Sequence, residues 1–216
     1  MHFKGKKTEQ MNVWSGIFGK EYTDRNMLSV EQMDEKFLLD HRISRFDLYK
    51  LFLDDLERSA KILEIGSNVG NQLICLQKLG FTNLYGIELQ SYAIKLFKLR
   101  TKNIQIMQGS AFDVPFKDNK FDLVFTSGLL IHISPKDIEL VLNEVYRCTN
   151  HYILGYEYYA DQFTEVTYRG NKKLLWKNDF AKLYLSKFKD LELLKEKRLN
   201  YSHNDNVDSM FLLRKM

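Results

Sequence analysis

Apolar positions along this chain follow two rhythms, that of a helical face and that of a buried strand. Over 44–56, Phe46, Leu48, Leu51, Phe52 and Leu56 recur at roughly helical spacing. The pattern then tightens into a short, mostly apolar run at 61–65 that ends in a glycine turn. Helical spacing returns over 69–79 and stops at Gly80. This strand, turn and helix unit recurs, with strands expected at 83–88, 104–107, 121–125 and 152–156 and helices near 91–99 and 135–146. Such alternation predicts a parallel sheet covered on both faces. Ser134-Pro135 reads as a helix start, because serine caps free amides and proline is tolerated at the first helical position. After a helix at 179–188, the stretches 191–199 and 207–213 read as a closing pair of strands. Residues up to about 32 keep no sustained period and mix Trp14, Gly16, Phe18, Gly19 and Tyr22, which reads as an ordered arm or lid. The organisation expected is an arm over 1–40 and one α/β domain over 41–216.

Composition narrows the function classes. At 216 residues the chain holds one well-buried core, and 44% hydrophobic with 28% charged residues suits a folded globular protein. The net charge of +4 is spread along the sequence, and runs such as Lys4-Gly5-Lys6-Lys7 and Lys195-Glu196-Lys197-Arg198 are short or mixed. A solvated surface accounts for them better than a nucleic-acid footprint. Cys75 and Cys148 lie far apart, and Cys148 with His151 is one isolated pair, so buried thiols are expected and no metal site. The start of the chain has no apolar leader core, and no run approaches the roughly 18 apolar residues of a membrane span. A cytoplasmic setting is the expectation.

The densest chemical signal is Ile62-Leu63-Glu64-Ile65-Gly66-Ser67-Asn68-Val69-Gly70, a strand entering a turn with glycines four apart and an acid two before the first. Open α/β sheets hold ligands at the carboxyl ends of their strands, and glycine lets the backbone come close to them. The turn is therefore the candidate cofactor site. A nicotinamide fingerprint needs glycine at three places, and Asn68 and Asn71 occupy the second and third. Glu88 closes the second strand, where a carboxylate accepts hydrogen bonds from ribose hydroxyls in either kind of nucleoside cofactor.

Taken in order, Glu64-x-Gly66-x-x-x-Gly70, Glu88, the turn Gln108-Gly109-Ser110-Ala111-Phe112-Asp113 and Phe121-Asp122-Leu123-Val124-Phe125 resemble the motif series of class I S-adenosylmethionine (SAM) methyltransferases. The resemblance implies a Rossmann-like α/β fold with a mostly parallel seven-stranded sheet, helices on both faces and a reversed last strand. It implies SAM as cofactor, with the methionine end at Glu64, Gly66, Asn68 and Gly70 and the ribose at Glu88. Ser110 and Ala111 would flank the adenine, and Thr126, near the end of the fourth strand, joins the cofactor set. Two positions depart from the pattern. Asn68 stands where glycine is common, which asparagine's tolerance of left-handed geometry excuses. Ser110 stands where an acid is common, and a neutral hydroxyl makes the weaker contact.

A narrower resemblance covers nearly the whole chain. Trp14-Ser15-Gly16-x-Phe18-Gly19-x-Glu21-Tyr22-x-x-Arg25-Asn26, Leu130-Ile131-His132-Ile133, Glu157-Tyr158-Tyr159, Val166-x-Tyr168-Arg169-Gly170 and Trp176-Lys177-x-Asp179-Phe180 are similar to the methylases associated with pseudaminic acid biosynthesis. This implies a nonulosonic acid or nucleotide-sugar intermediate of surface glycan biosynthesis as acceptor. Methyl transfer needs alignment, exclusion of water and, for some acceptors, a base. His132, after the fourth strand, reads either as that base or as a helix-start histidine. Glu157, Tyr158 and Tyr159 read as ligands for hydroxyls or an amine, or as a packed aromatic edge, with Glu157 the second catalytic candidate. Tyr22 joins the acceptor-binding set, and Arg25 and Arg169 are the two candidates for holding a carboxylate. The partner expected is a small-molecule acceptor, without nucleic acid or membrane, and nothing in the sequence sets the oligomeric state. A SAM-binding regulator without turnover is the competing class.

Overall fold

The computed structural model describes residues 8–216, so the basic run at 4–7 and the start of the chain lie outside it. Four helices come first: α1 (Glu9–Ser15), α2 (Ile17–Arg25), α3 (Val30–His41) and α4 (Arg45–Leu53). The alternating core follows as β1 (Lys61–Ile65), α5 (Asn71–Lys78), β2 (Asn83–Glu88), α6 (Ser91–Arg100), β3 (Gln105–Gln108) and β4 (Phe121–Ser127). A single helical turn at Leu130–His132 leads to α7 (Ile138–Cys148) and β5 (Thr149–Tyr158). A short ribbon of β6 (Thr164–Glu165) and β7 (Trp176–Lys177), then α8 (Phe180–Lys187), β8 (Leu191–Asn200) and β9 (Val207–Lys215), complete the order.

Seven strands form one sheet in the order β3-β2-β1-β4-β5-β9-β8. The first five are parallel, and β9 runs antiparallel to both β5 and β8. This is the Rossmann-like methyltransferase architecture with its reversed last strand. Its inner strands, β1 and β4 above all, are buried on both faces, and side-chain alternation sorts them. Ile62, Leu123, Phe125 and Leu154 pack with α3, α4 and α5 on one side. Leu63, Ile65, Val124 and Ile153 pack with α7 and α8 on the other. The strand order reverses between β1 and β4, which is where such sheets open a crevice for ligands.

The structure differs from the sequence pattern at two places. The helix expected from residue 135 begins at Ile138 with Asp137 as N-cap, while Ser134 closes a tight turn by accepting the Asp137 amide at 2.8 Å. The arm is helical: α1 has seven residues and α2 nine, too short for an apolar period to declare itself over repeated turns. α3 spans residue 40 and buries Val30, Met33 and Phe37 at helical spacing against the α4 and α5 side of the sheet.

Candidate active site

A cavity lies at the carboxyl ends of β1, β2 and β4 and is lined by Glu64, Gly66, Asn68, Glu88, Ser110 and Ala111 among the cofactor candidates. The β1 turn is shaped by its backbone. Gly66 sits at φ +78°, a conformation strained for any side chain, and a Cβ there would also press on Leu129 Cδ1 at 2.9 Å, so glycine is favoured. Gly70 is at φ +82°, where a Cβ would meet the Phe97 ring at 2.7 Å; it shapes the turn without lining the cavity. Asn68 adopts φ +44°, the left-handed geometry that asparagine tolerates. Glu88 ties this turn to the next, Oε2 accepting the Asn68 amide at 2.9 Å and Oε1 the Gln90 amide at 2.8 Å.

The electrostatics of this half are those of a buried acid, Glu64, beside a half-buried one, Glu88. Glu64 is 2% exposed, and its Oε2 has no hydrogen-bond partner among the described residues. Burial first, and the neighbouring Glu88 second, hold its carboxyl well above the usual range against the pull of Arg45. Burial likewise raises Glu88, opposed by the amides it accepts. A donor that reaches Glu64 Oε2 removes a costly orphan. Ser110 Oγ accepts the Phe112 amide at 3.2 Å and faces Met11 Sδ at 4.0 Å, so the adenine-side turn already touches the arm.

The other half is aromatic. His132 closes the helical turn after β4, is 7% exposed and lines the cavity. Its Nδ1 lies 2.7 Å from the Leu174 carbonyl, and a carbonyl only accepts, so Nδ1 carries the proton and Nε2 keeps the lone pair. Burial lowers its pKa to about 4, so the ring is neutral near pH 7. Trp14 and Tyr22, from α1 and α2, also line the cavity, and the Trp14 ring centre lies 4.3 Å from that of His132. The arm is latched over the cofactor turns. Thr23 Oγ1 lies 3.0 Å from Asn68 Oδ1 and 3.2 Å from Gln90 Oε1. Gln90 Nε2 donates to the Trp14 and Gly16 carbonyls, and Asn71 Nδ2 to that of Asn26.

Several residues singled out in the sequence stand elsewhere. Glu157, 2% exposed, does not line the cavity; it accepts the Leu129 amide at 3.2 Å and the Ile131 amide at 3.4 Å, with Thr126 also donating to it. Burial pushes its pKa up to about 7. Glu157 and Thr126 thus brace the turn that carries His132. Tyr159 donates to Asp161 under the Arg198 guanidinium, and Tyr158 packs beside Tyr201, both outside the cavity lining. Arg25 is exposed beside Glu21 and Arg169 is exposed on a left-handed turn, and neither lines the cavity. Thr23, Gln90 and Gln72 do line it. They are uncharged and carry no motif; Gln72 and Gln90 stand just after the 66–70 turn and the end of β2, and the folding of the arm onto the sheet brings Thr23 to them.

Residues 63–151 match a model described as a methyltransferase domain. The chain is similar to demethylmenaquinone methyltransferase from Staphylococcus carnosus, 25% identical over 218 residues that span 97% of this chain and 86% of the relative. An uncharacterized methyltransferase of the same organism is 32% identical over 91 residues, 41% of this chain and 42% of the relative. Among solved structures, the Burkholderia thailandensis 1,6-didemethyltoxoflavin-N1-methyltransferase, with bound 1,6-didemethyltoxoflavin and S-adenosylhomocysteine, superposes with a TM-score of 0.72 at 14% identity. That match covers 99% of this chain and 93% of the other. Magnesium protoporphyrin IX methyltransferase from Synechocystis PCC 6803, with bound SAM, gives 0.68 at 12% identity over 99% and 100% of the two chains. The chain is a SAM-dependent methyltransferase. The cofactor of the methyltransferase suits the cavity, because SAM brings an ammonium for an orphaned carboxyl oxygen and ribose hydroxyls for a second acid. Among the described residues no helix is long and apolar enough to cross a membrane.

Proposed function

We propose that the enzyme methylates nitrogen or oxygen of a small acceptor that reaches His132 beneath the helical arm. The observation that carries this reading is one cavity in which the 64–70 turn, Glu88 and the turn at Ser110 and Ala111 meet His132 and Tyr22. Glu64 would hold the ammonium of the cofactor, Glu88 its ribose, and Ser110 and Ala111 its adenine. When bound, SAM supplies a methyl group on a sulfonium. The chain's own residues then align the acceptor, exclude water and receive a proton.

Neutral His132 offers Nε2 for that proton. Its low pKa makes it a weak base in the ground state. A nitrogen or oxygen gaining a methyl group becomes strongly acidic, so a weak base suffices at the moment it is needed. Glu157 acts through the turn and not on the acceptor. The arm of α1 and α2 serves as the lid, since its latches to Asn68, Gln90 and Asn71 rest on the cofactor turns themselves. The narrower motif resemblance points to a nonulosonic acid, whose carboxylate needs a cation. Arg25 and Arg169, the candidates for it, stay outside the cavity, so the geometry favours an uncharged acceptor.

The test is to incubate the protein with SAM and separate panels of hydroxyl- and amine-bearing acceptors and to measure S-adenosylhomocysteine by mass spectrometry. Acceptor-dependent product that disappears in His132→Ala is the expected result. Cofactor binding with no product from any panel would overturn this reading of the acceptor.

A further inference from the structure

The acceptor half of the cavity has a composition of its own. The rings of Trp14, Tyr22 and His132 line it, and two more rings continue the cluster behind them. Trp14 meets Phe18 at 5.3 Å and Tyr22 at 5.1 Å, both edge to face, and His132 meets Tyr168 at 5.5 Å. No lysine or arginine lines the cavity among the described residues; its charged lining is Glu64 and Glu88, both on the cofactor side. Cations that approach from behind the lining are held by it, Arg45 by Gln72 and Arg100 by Asn71, and on the neighbouring strands Lys177 is held by Asn206 and Arg198 by Asp179 and Glu196. Of the buried donors left without a partner among the described residues, one belongs to a side chain that lines the cavity: Trp14 Nε1. A buried indole N–H without an acceptor is costly, and native structures rarely keep one without a use.

We propose that the acceptor is an uncharged, planar aromatic molecule held against the Trp14, Tyr22 and His132 rings, with Trp14 Nε1 donating a hydrogen bond to an oxygen or nitrogen on it. This rests on the methyltransferase reading of the same cavity. Ring walls favour flat π-systems through offset and edge-to-face contact. An anionic acceptor would find no lysine or arginine among the described lining residues to pair its charge, and burial of a charge without such a partner is disfavoured. Trp14 is then a specificity-determining residue carried by the arm, so that the lid itself reads the acceptor.

The experiment is calorimetry on the full chain loaded with S-adenosylhomocysteine, using 1-naphthol, naphthalene-1-sulfonate and N-acetylneuraminic acid as probes. The proposal expects 1-naphthol to bind at least tenfold tighter than either anion. Trp14→Phe keeps a ring and removes the N–H, and it should weaken 1-naphthol about three- to tenfold, the range of one neutral hydrogen bond. Tyr22→Leu should weaken it further, with melting temperature confirming that both variants fold. Tighter binding of either anion, failure of 1-naphthol to bind, or wild-type affinity in Trp14→Phe overturns the proposal. Failure of S-adenosylhomocysteine itself to bind would instead strike the methyltransferase reading of the cavity, before any acceptor is added.

Discussion

The two halves of the cavity are made of different materials. The cofactor half is backbone and carboxylate: left-handed turns at Gly66, Asn68 and Gly70, with the buried Glu64 and the half-buried Glu88, all from consecutive strand ends of one sheet. The acceptor half is side chain and aromatic ring, gathered from α1, α2 and the turn after β4. A methyl donor common to many enzymes can be held by backbone geometry that a sheet supplies. An acceptor peculiar to one enzyme has to be read by side chains, and these sit on segments that can vary without disturbing the sheet.

Removing His132 breaks the comparison most sharply. We expect His132→Ala to lower single-turnover rate by about 10²- to 10⁴-fold while SAM affinity stays near wild type, because its ring belongs to the acceptor half. A parallel loss of SAM affinity on calorimetry would merge the halves. Next in size, Glu88→Ala should weaken SAM about 10- to 150-fold, since a hydrogen bond to a charged group contributes about 1.5 to 3 kcal/mol. Melting temperature separates this from loss of the caps on Asn68 and Gln90.

The brace behind His132 sharpens the comparison through pH. Glu157 titrates near 7 in the folded state against an ordinary 4.5, so between these values the folded state holds more protons. Its contribution is complete below about pH 4.5 and is lost as pH rises through 7. His132, lowered to about 4 from 6.5, has the opposite sign: its contribution is complete above about pH 6.5 and is lost as pH falls through 4. Denaturant titrations at pH 5 and pH 8 should therefore show Glu157→Gln gaining stability relative to wild type at the higher pH, by on the order of 2 kcal/mol. An unchanged difference between the two pH values would mean that Glu157 is not a buried titrating group. The smallest effects belong to Arg25→Ala and Arg169→Ala, which should change stability by less than about 0.5 kcal/mol and leave turnover intact.

The contrast between the halves also explains what could be read from the chain. β1 and β2 were legible nearly to the residue, because a buried parallel strand bounded by a glycine turn leaves a dense local pattern at Ile62 to Gly66 and at Leu84 to Glu88. Left-handed positions announce themselves through Gly66, Gly70 and Asn68. Trp14, Thr23 and Gln90 converge only through contacts between residues 45 to 76 apart in sequence, and no local spacing encodes them. Glu157 shows the same limit from the other side. Its position near the end of β5 suggested chemistry, and only the amides of Leu129 and Ile131 reveal a carboxylate occupied in holding a turn. Arg25 and Arg169 looked apt for a carboxylate by residue type, which says nothing about which way an exposed helix or turn presents them.

The central claim, a SAM cavity closed by the arm, is tested most directly by calorimetry of the full chain with SAM, S-adenosylhomocysteine and NAD, repeated on a chain lacking α1 and α2. The account predicts that the first two ligands bind and NAD does not. It also predicts that removing the two helices weakens both ligands while the remaining domain still melts cooperatively. NAD binding as tightly as SAM, or undiminished SAM affinity without the arm, would contradict it.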